Sequence, residues 1–150
     1  MRLEKRLECL GKKLVTSSPA FVSMLVKQRD EDTPLTPENA PRQPVIIIVA
    51  RDNGRISITP FRNVELTFIV RINAQAFAGA AKAFDNVCEQ LEQLLGKTNL
   101  VQALTDPTGV KVATTVAVRQ NGTPFMRGGF IREQHFTVAC KAVRMEDTVQ

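Results

Sequence analysis

His135 and three cysteines, Cys9, Cys88 and Cys140, are the residues of this sequence that could supply a base, a nucleophile or a soft metal ligand. A Cys–His dyad needs both side chains within hydrogen-bond reach. His135 and Cys140 lie an odd number of residues apart in one strand-like run, so they are expected on opposite faces. Cys88 falls on the apolar stripe of a predicted helix, where a thiol without a base is inert. The cysteines are odd in number, widely spaced and contain no Cys-x-x-Cys pair. That pattern argues against a zinc site and a disulfide framework, and for a reducing compartment. All three are expected to be small core hydrophobes.

The acids point no more strongly to catalysis. Asp30, Glu31 and Asp32 cluster in a stretch with nothing to fix their geometry, and Glu89 and Glu92 have ordinary spacing for a solvated helix face. Neither Gly128-Gly129 nor Asp52-Asn53-Gly54 has the pattern of a phosphate-binding loop, a Gly-rich turn followed by Lys-Ser or Lys-Thr and a helix. The expectation is a protein without catalytic, cofactor-binding or metal residues, whose work is binding or assembly.

The elements around these residues read as one α+β domain over the whole 150-residue chain, long enough to bury a core unaided. Leu3, Leu7, Leu10 and Leu14 make an apolar helical stripe, with Arg2, Glu4, Lys5, Arg6, Glu8, Lys12 and Lys13 on the wet side. Gly11 weakens that helix slightly. No apolar stretch follows the charged start, so no signal peptide is expected there. Ser18 and Pro19 could begin a new turn. Ala20 to Val26 suits helix or strand. Residues 29 to 43 hold three prolines and little apolar bulk, and read as an extended arm that orders only on a partner.

Val45 to Ala50 is apolar on both faces, as in a central strand or one covered from outside the domain. Asn53-Gly54 signals a tight turn, with a short return strand at Ile56 and Ile58. Val64, Leu66, Phe68, Val70 and Ile72 alternate with mostly polar residues, Ile69 being the exception. Gly79 to Leu95 is a second amphipathic helix, with Gly96 as its left-handed terminator. Asn99 to Leu104 adds a turn. Two strands close the domain, Val110 to Arg119 and Phe130 to Val143. The hairpin between them spans Gln120 to Gly129, with a turn at Asn121-Gly122 and a flexible joint at Gly128-Gly129. The tail, Glu146 to Gln150, is expected to fray. The order implies an αββαββ sandwich: a mostly antiparallel sheet of four to five strands with helices on one face.

The net charge of +5 permits nucleic-acid contact, but the basic residues are dispersed and there is no Trp or Tyr for stacking. A nucleic-acid-binding module would need Arg71, Lys111, Arg119 and Arg132 on one sheet face. No apolar run is long enough to span a membrane. Surplus apolar surface on Val45, Ile46, Ile47 and Ile48, with Phe125, Met126 and Arg127 at the hairpin, is the candidate assembly interface.

The succession of Leu-striped helix, variable segment, Pro44-to-Ala50 strand, alternating Val64-to-Ile72 strand, helix ending in Leu91, Leu94 and Leu95, and closing hairpin from Val110 to Val143 resembles the tail terminator (tail completion) proteins of tailed bacteriophages. The resemblance covers nearly the whole chain and is architectural. It implies a homo-oligomeric ring, usually a hexamer, at the head-proximal end of a phage tail. Such a ring ends polymerisation of the tail tube, contacts tube or sheath protein and the head–tail connector, and lets genomic DNA pass through its bore without sequence-specific binding. It implies a virion location after assembly in the host cytoplasm, and no cofactor. Another neck or tube component, and a nucleic-acid-binding αβ module, are the competing readings.

Overall fold

The computed structural model describes residues 3–30, 32–52, 61–104 and 113–143. The return strand at Ile56 and Ile58, the Asn53-Gly54 turn and the tail from Glu146 lie outside the described residues.

Helical spacing of the leucines produces α1, Leu3–Thr16, with Leu3, Leu7 and Leu10 buried and Leu14 packed against the core. Two of its residues depart from the simple amphipathic pattern. Glu8 is buried, and Gly11 sits where a Cβ would lie 3.3 Å from Ile48 Cγ2 and 3.4 Å from Leu66 Cδ2. Gly11 therefore sets how closely the helix approaches the sheet, which outweighs its small propensity cost. Pro19–Phe21 form a 3-10 turn with Ser18 before it, though the Ser18 side chain makes no capping bond. The ambiguous segment thus contains both a helical turn and, after it, strand β1, Leu25–Gln28.

The remaining elements are β2 (Val45–Asp52), β3 (Phe61–Asn73), α2 (Ala80–Lys97), α3 (Leu100–Ala103), β4 (Ala113–Asn121), β5 (Phe125–Arg127) and β6 (Ile131–Val143). The fold is α+β. The sheet runs β1-β2-β3-β6-β4, and β5 also pairs β6. Among the described residues, β1 and β2 are the one parallel pair.

That parallel pair accounts for the arm. Parallel neighbours need a crossover of a dozen or more residues, because a tight hairpin reverses the chain. The described residues 29, 30 and 32–44 belong to that crossover, and Thr33, Leu35, Asn39 and Pro41 line a cavity with Val45, Ile47 and Arg71 on the sheet face opposite the helices. Asn73 Nδ2 donates to Pro37 O at 3.0 Å, Asn73 N to Pro41 O at 2.8 Å, and Arg42 Nη2 to Ala76 O at 2.9 Å. Within the arm, Thr36 N donates to Asn39 Oδ1 at 2.6 Å and Asn39 N to Thr36 Oγ1 at 3.2 Å. Ala40 is buried. The expectation of an arm without a seat on its own domain is corrected: backbone and amide hydrogen bonds hold it where apolar bulk does not.

α1 and α2 lie on the other face. Their buried residues join Ile46, Ile48 and Ala50 of β2, Val64 to Ile72 on alternate positions of β3, and Phe136, Val138 and Cys140 of β6 in one core. Val45, Ile47, Val49 and Ile69 form a second, smaller cluster on the arm's face. Ile69 breaks the alternation of β3 because that face too has an apolar patch to complete.

Two turn expectations are corrected. Gly96 lies inside α2, which ends at Lys97 with Thr98 as its cap: both Thr98 N and Oγ1 donate to Leu94 O, at 3.1 and 2.7 Å, so no left-handed residue is needed. Gly122 donates its N–H to His135 O at 2.8 Å, so the chain passes straight on from β4 to β5 along β6. The reversal falls at Gly128 and Gly129, whose φ of +63° and +80° suit glycine. Asn99 caps α3 as expected, accepting from Gln102 N at 3.2 Å.

Candidate functional site

Strand alternation places Thr67, Ile69 and Arg71 of β3 and Glu133, His135 and Thr137 of β6 on the face away from the helices. Arg71 and Glu133 are directly paired in register and both are buried. Arg71 Nε donates to Glu133 Oε1 at 2.6 Å, and His135 Nε2 lies 2.7 Å from Glu133 Oε2. Arg127 Nη1 is 3.7 Å from Oε1. Burial pushes the Glu133 carboxyl up, but hydrogen bonds from His135 and Arg71 and the charge of Arg71 together hold it below its ordinary value. These groups line an open cleft of about 380 Å³, which Asp32, Arg51 and Glu65 also border.

The expected hairpin residues sit at the end of this system. Phe125, Met126 and Arg127 form β5 and are exposed, and pairing with Glu133, Arg132 and Ile131 holds them in place. The Phe125 ring packs on His135, with centroids 5.5 Å apart. The hairpin end is thus a braced projection, tied through His135 and Arg127 to the buried carboxylate.

Val45, Ile46, Ile47 and Ile48 are placed differently. All four are buried within the chain, at 6% exposure or less. Ile46 and Ile48 belong to the helix-side core, and Val45 and Ile47 border a cavity shared with Thr33, Leu35 and Pro41 of the arm. The second apolar face of this strand is covered by the chain's own crossover. The exposed apolar side chains at that end of the sheet are instead Val22 and Leu25, at 79% and 55% exposure. They stand beside a groove of about 500 Å³ lined by Met24, Leu25, Pro41, Arg42, Pro44 and Val45.

A further polar feature lay hidden among the wet residues of α1. Glu8 Oε2 accepts from Ala50 N at 2.7 Å and Oε1 from Arg29 Nε at 2.9 Å, while Arg29 Nη2 donates to Ala50 O at 3.3 Å. Arg29 turns aside from β1 at φ +54°, after its N–H has bonded Ile48 O. The Glu8–Arg29 pair then satisfies the backbone of Ala50 where the neighbouring strand has ended. The spacing of the leucines alone could not have revealed this.

Cys88 and Cys140 are buried, and burial pushes both thiols up to about 12, with Asp85 adding to the effect at Cys88. Cys9 is exposed on α1, where Gln28 Nε2 approaches its sulfur at 3.4 Å, which corrects its expected place in the core. His135 faces away from Cys140. Among the described residues no group of three or more His, Cys, Asp or Glu is placed to hold a metal ion, and no helix is long and apolar enough to cross a membrane. Arg71 and Arg132 lie on opposite sheet faces, since Arg132 packs 5.1 Å above the Phe84 ring of α2. The single basic face required for nucleic-acid binding is therefore not formed by these two; Lys111 and the Arg119 side chain lie outside the described set.

The arrangement is that of an α+β sheet protein with helices over one face and its own crossover over part of the other, an open cleft beside the crossover, and exposed apolar side chains near β1, on β5 and at Phe77 before α2. No protein-family model matches the chain, and no curated protein matches it in sequence.

Proposed function

We propose that this protein is a structural subunit that associates head to tail into a ring, in the manner of the phage tail terminators it resembles. One observation carries the reading: of the five exposed large apolar side chains among the described residues, four stand at opposite ends of the sheet order, Val22 just before β1 and Leu25 at its start, and Phe125 and Met126 on β5, the fifth being Phe77 before α2. Unlike surfaces at opposite ends favour heterologous contacts, which close into rings when the rotation allows. The braced hairpin supports this, because a rigid projection loses less entropy on docking than a mobile one. In this role the ring ends a tail tube, joins it to the head connector and encircles passing DNA. Native mass measurement and negative-stain imaging of the purified chain, with and without tail tubes, test the proposal. Closed rings, alone or capping one end of the tube, are expected. A chain that stays monomeric in both conditions overturns it.

A further inference from the structure

The outer sides of the two long helices carry opposite charge. On α1, Lys5, Cys9 and Lys12 follow i, i+4, i+7 spacing, with Arg6 and Lys13 in the adjoining row. Lys5 and Lys13 are exposed, and Arg6 and Lys12 are half-buried. Of the helix's acids, Glu8 is buried and Glu4 lies in the row beside it. On α2, Asp85, Glu89 and Glu92 repeat the spacing and are exposed; Lys82 begins the same row one turn before Asp85, and Lys97 stands at the helix end.

The stripes also face different ways. Gln28 of β1 touches Cys9, so the basic stripe borders the β1 edge. Asp85 lies 3.4 Å from Arg132 of β6, so the acidic stripe borders the β6–β4 side, with Glu89 and Glu92 beyond it. The strand order β1-β2-β3-β6-β4 puts these borders at opposite ends. Along the sheet order each end therefore has an apolar pair and a charged helix: Val22 and Leu25 at the end bordered by the cationic α1, Met126 and Phe125 at the end bordered by the anionic α2, with Leu25 and Phe125 on the face away from the helices.

We infer that the basic stripe of α1 docks on the acidic stripe of α2 in a second copy of this chain, so that charge decides which end meets which. The inference rests on the head-to-tail reading above and names its interface. Exposed ion pairs add little energy singly, so the apolar ends supply most of the affinity. The charges supply selection: a symmetric dimer through either end would set Lys5 and Lys12, or Glu89 and Glu92, against their own copies, whereas head-to-tail contact pairs opposites.

Two variants test this. Lys5→Glu/Lys12→Glu/Lys13→Glu makes both ends acidic; Glu89→Lys/Glu92→Lys makes both ends basic. Circular dichroism checks that each folds. Each variant alone should associate at least about tenfold more weakly than the unaltered chain, and an equimolar mixture should assemble again, with the variants alternating. The recovered assembly should weaken in about 1 M salt, where screening cuts the reach of charge to about 3 Å. Variants that assemble alone as well as the unaltered chain, or a mixture of folded variants that stays dispersed, would overturn the charge pairing; a ring that persists in the first case leaves the functional reading standing. A mixture that joins into open fibres supports the pairing and overturns the ring.

Discussion

Arg71 and Glu133 face each other across β3 and β6, Nε 2.6 Å from Oε1, with each side chain only 2% exposed. Removing Arg71 leaves the buried Glu133 carboxylate with His135 at 2.7 Å and Arg127 at 3.7 Å, and removing Glu133 takes away the carboxylate that the buried Arg71 Nε reaches. Glu133→Gln or Arg71→Met should therefore destabilise the fold by about 3–5 kcal/mol, and the double replacement Arg71→Met/Glu133→Leu should recover part of the loss. Urea unfolding of the three variants measures this. The pH dependence has a definite sign. Glu133 titrates below the ordinary 4.5 in the folded chain, so its stabilisation is complete above that value and disappears as pH falls through the lowered one. The stability gap between the parent and Glu133→Gln should narrow in acid.

Glu8 and Arg29 should be unequal partners. Glu8→Ala strands the buried Ala50 N–H and should cost about 2–4 kcal/mol in thermal or urea unfolding. Arg29→Ala should cost less, because the Arg29 side chain is half exposed and water can replace part of its bonding.

Replacements at Gly11 should separate helix propensity from close approach. Gly11→Ala gains about 1 kcal/mol of propensity and meets the Ile48 methyl at 3.3 Å, so near-neutral stability is expected. Gly11→Leu cannot fit against Ile48 and Leu66 and should lose about 1–3 kcal/mol. Denaturant midpoints at unchanged slope measure both.

At the hairpin, Met126→Asp is a cleaner probe of assembly than Arg127→Glu. Met126 is 49% exposed, whereas Arg127 also approaches Glu133 at 3.7 Å, so its reversal adds a repulsion inside the subunit. Met126→Asp should stay folded by circular dichroism and lose self-association by native mass. Assembly at parental strength would remove the hairpin from the interface.

Asn73 fastens the crossover. Asn73→Ala removes the bond to Pro37 O and should speed proteolytic cleavage within residues 29–43 of the free chain at least several-fold, leaving the rest intact. Equal cleavage of both chains would mean that the backbone bond from Asn73 N suffices.

The periodic elements are legible in the sequence. The leucines of α1, the alternation of β3 and the apolar face of α2 each bury what their spacing selects, because one covered face imposes a period. What stayed hidden depended on distant partners. Leu25–Gln28 is too short to show a period, so the parallel β1–β2 pair was missed, and with it the reason for the arm. Val45 to Ile48 then read as apolar surplus when the chain itself supplied the second cover. Glu8 and Glu133 look like ordinary surface acids until the strands carrying Ala50 and Arg71 are brought against them. Of the candidate site, the sequence leaves the β5 trio free to be exposed or folded onto the core; the trio is exposed, and its bracing by His135 and Glu133 comes only from register.

The parallel pairing of β1 with β2 also has a mechanical meaning. Tension drawn between the start of β1 and the far end of β2 loads Leu25↔Val45 through Gln28↔Ile48 along the strand direction, so these rungs share the force together. The antiparallel β4–β6 hairpin, pulled apart at its open end, would instead unzip rung by rung. The response therefore depends on direction: a tug along β1 and β2 is met by their rungs in shear, and a tug at the open end of β4 and β6 by one rung at a time.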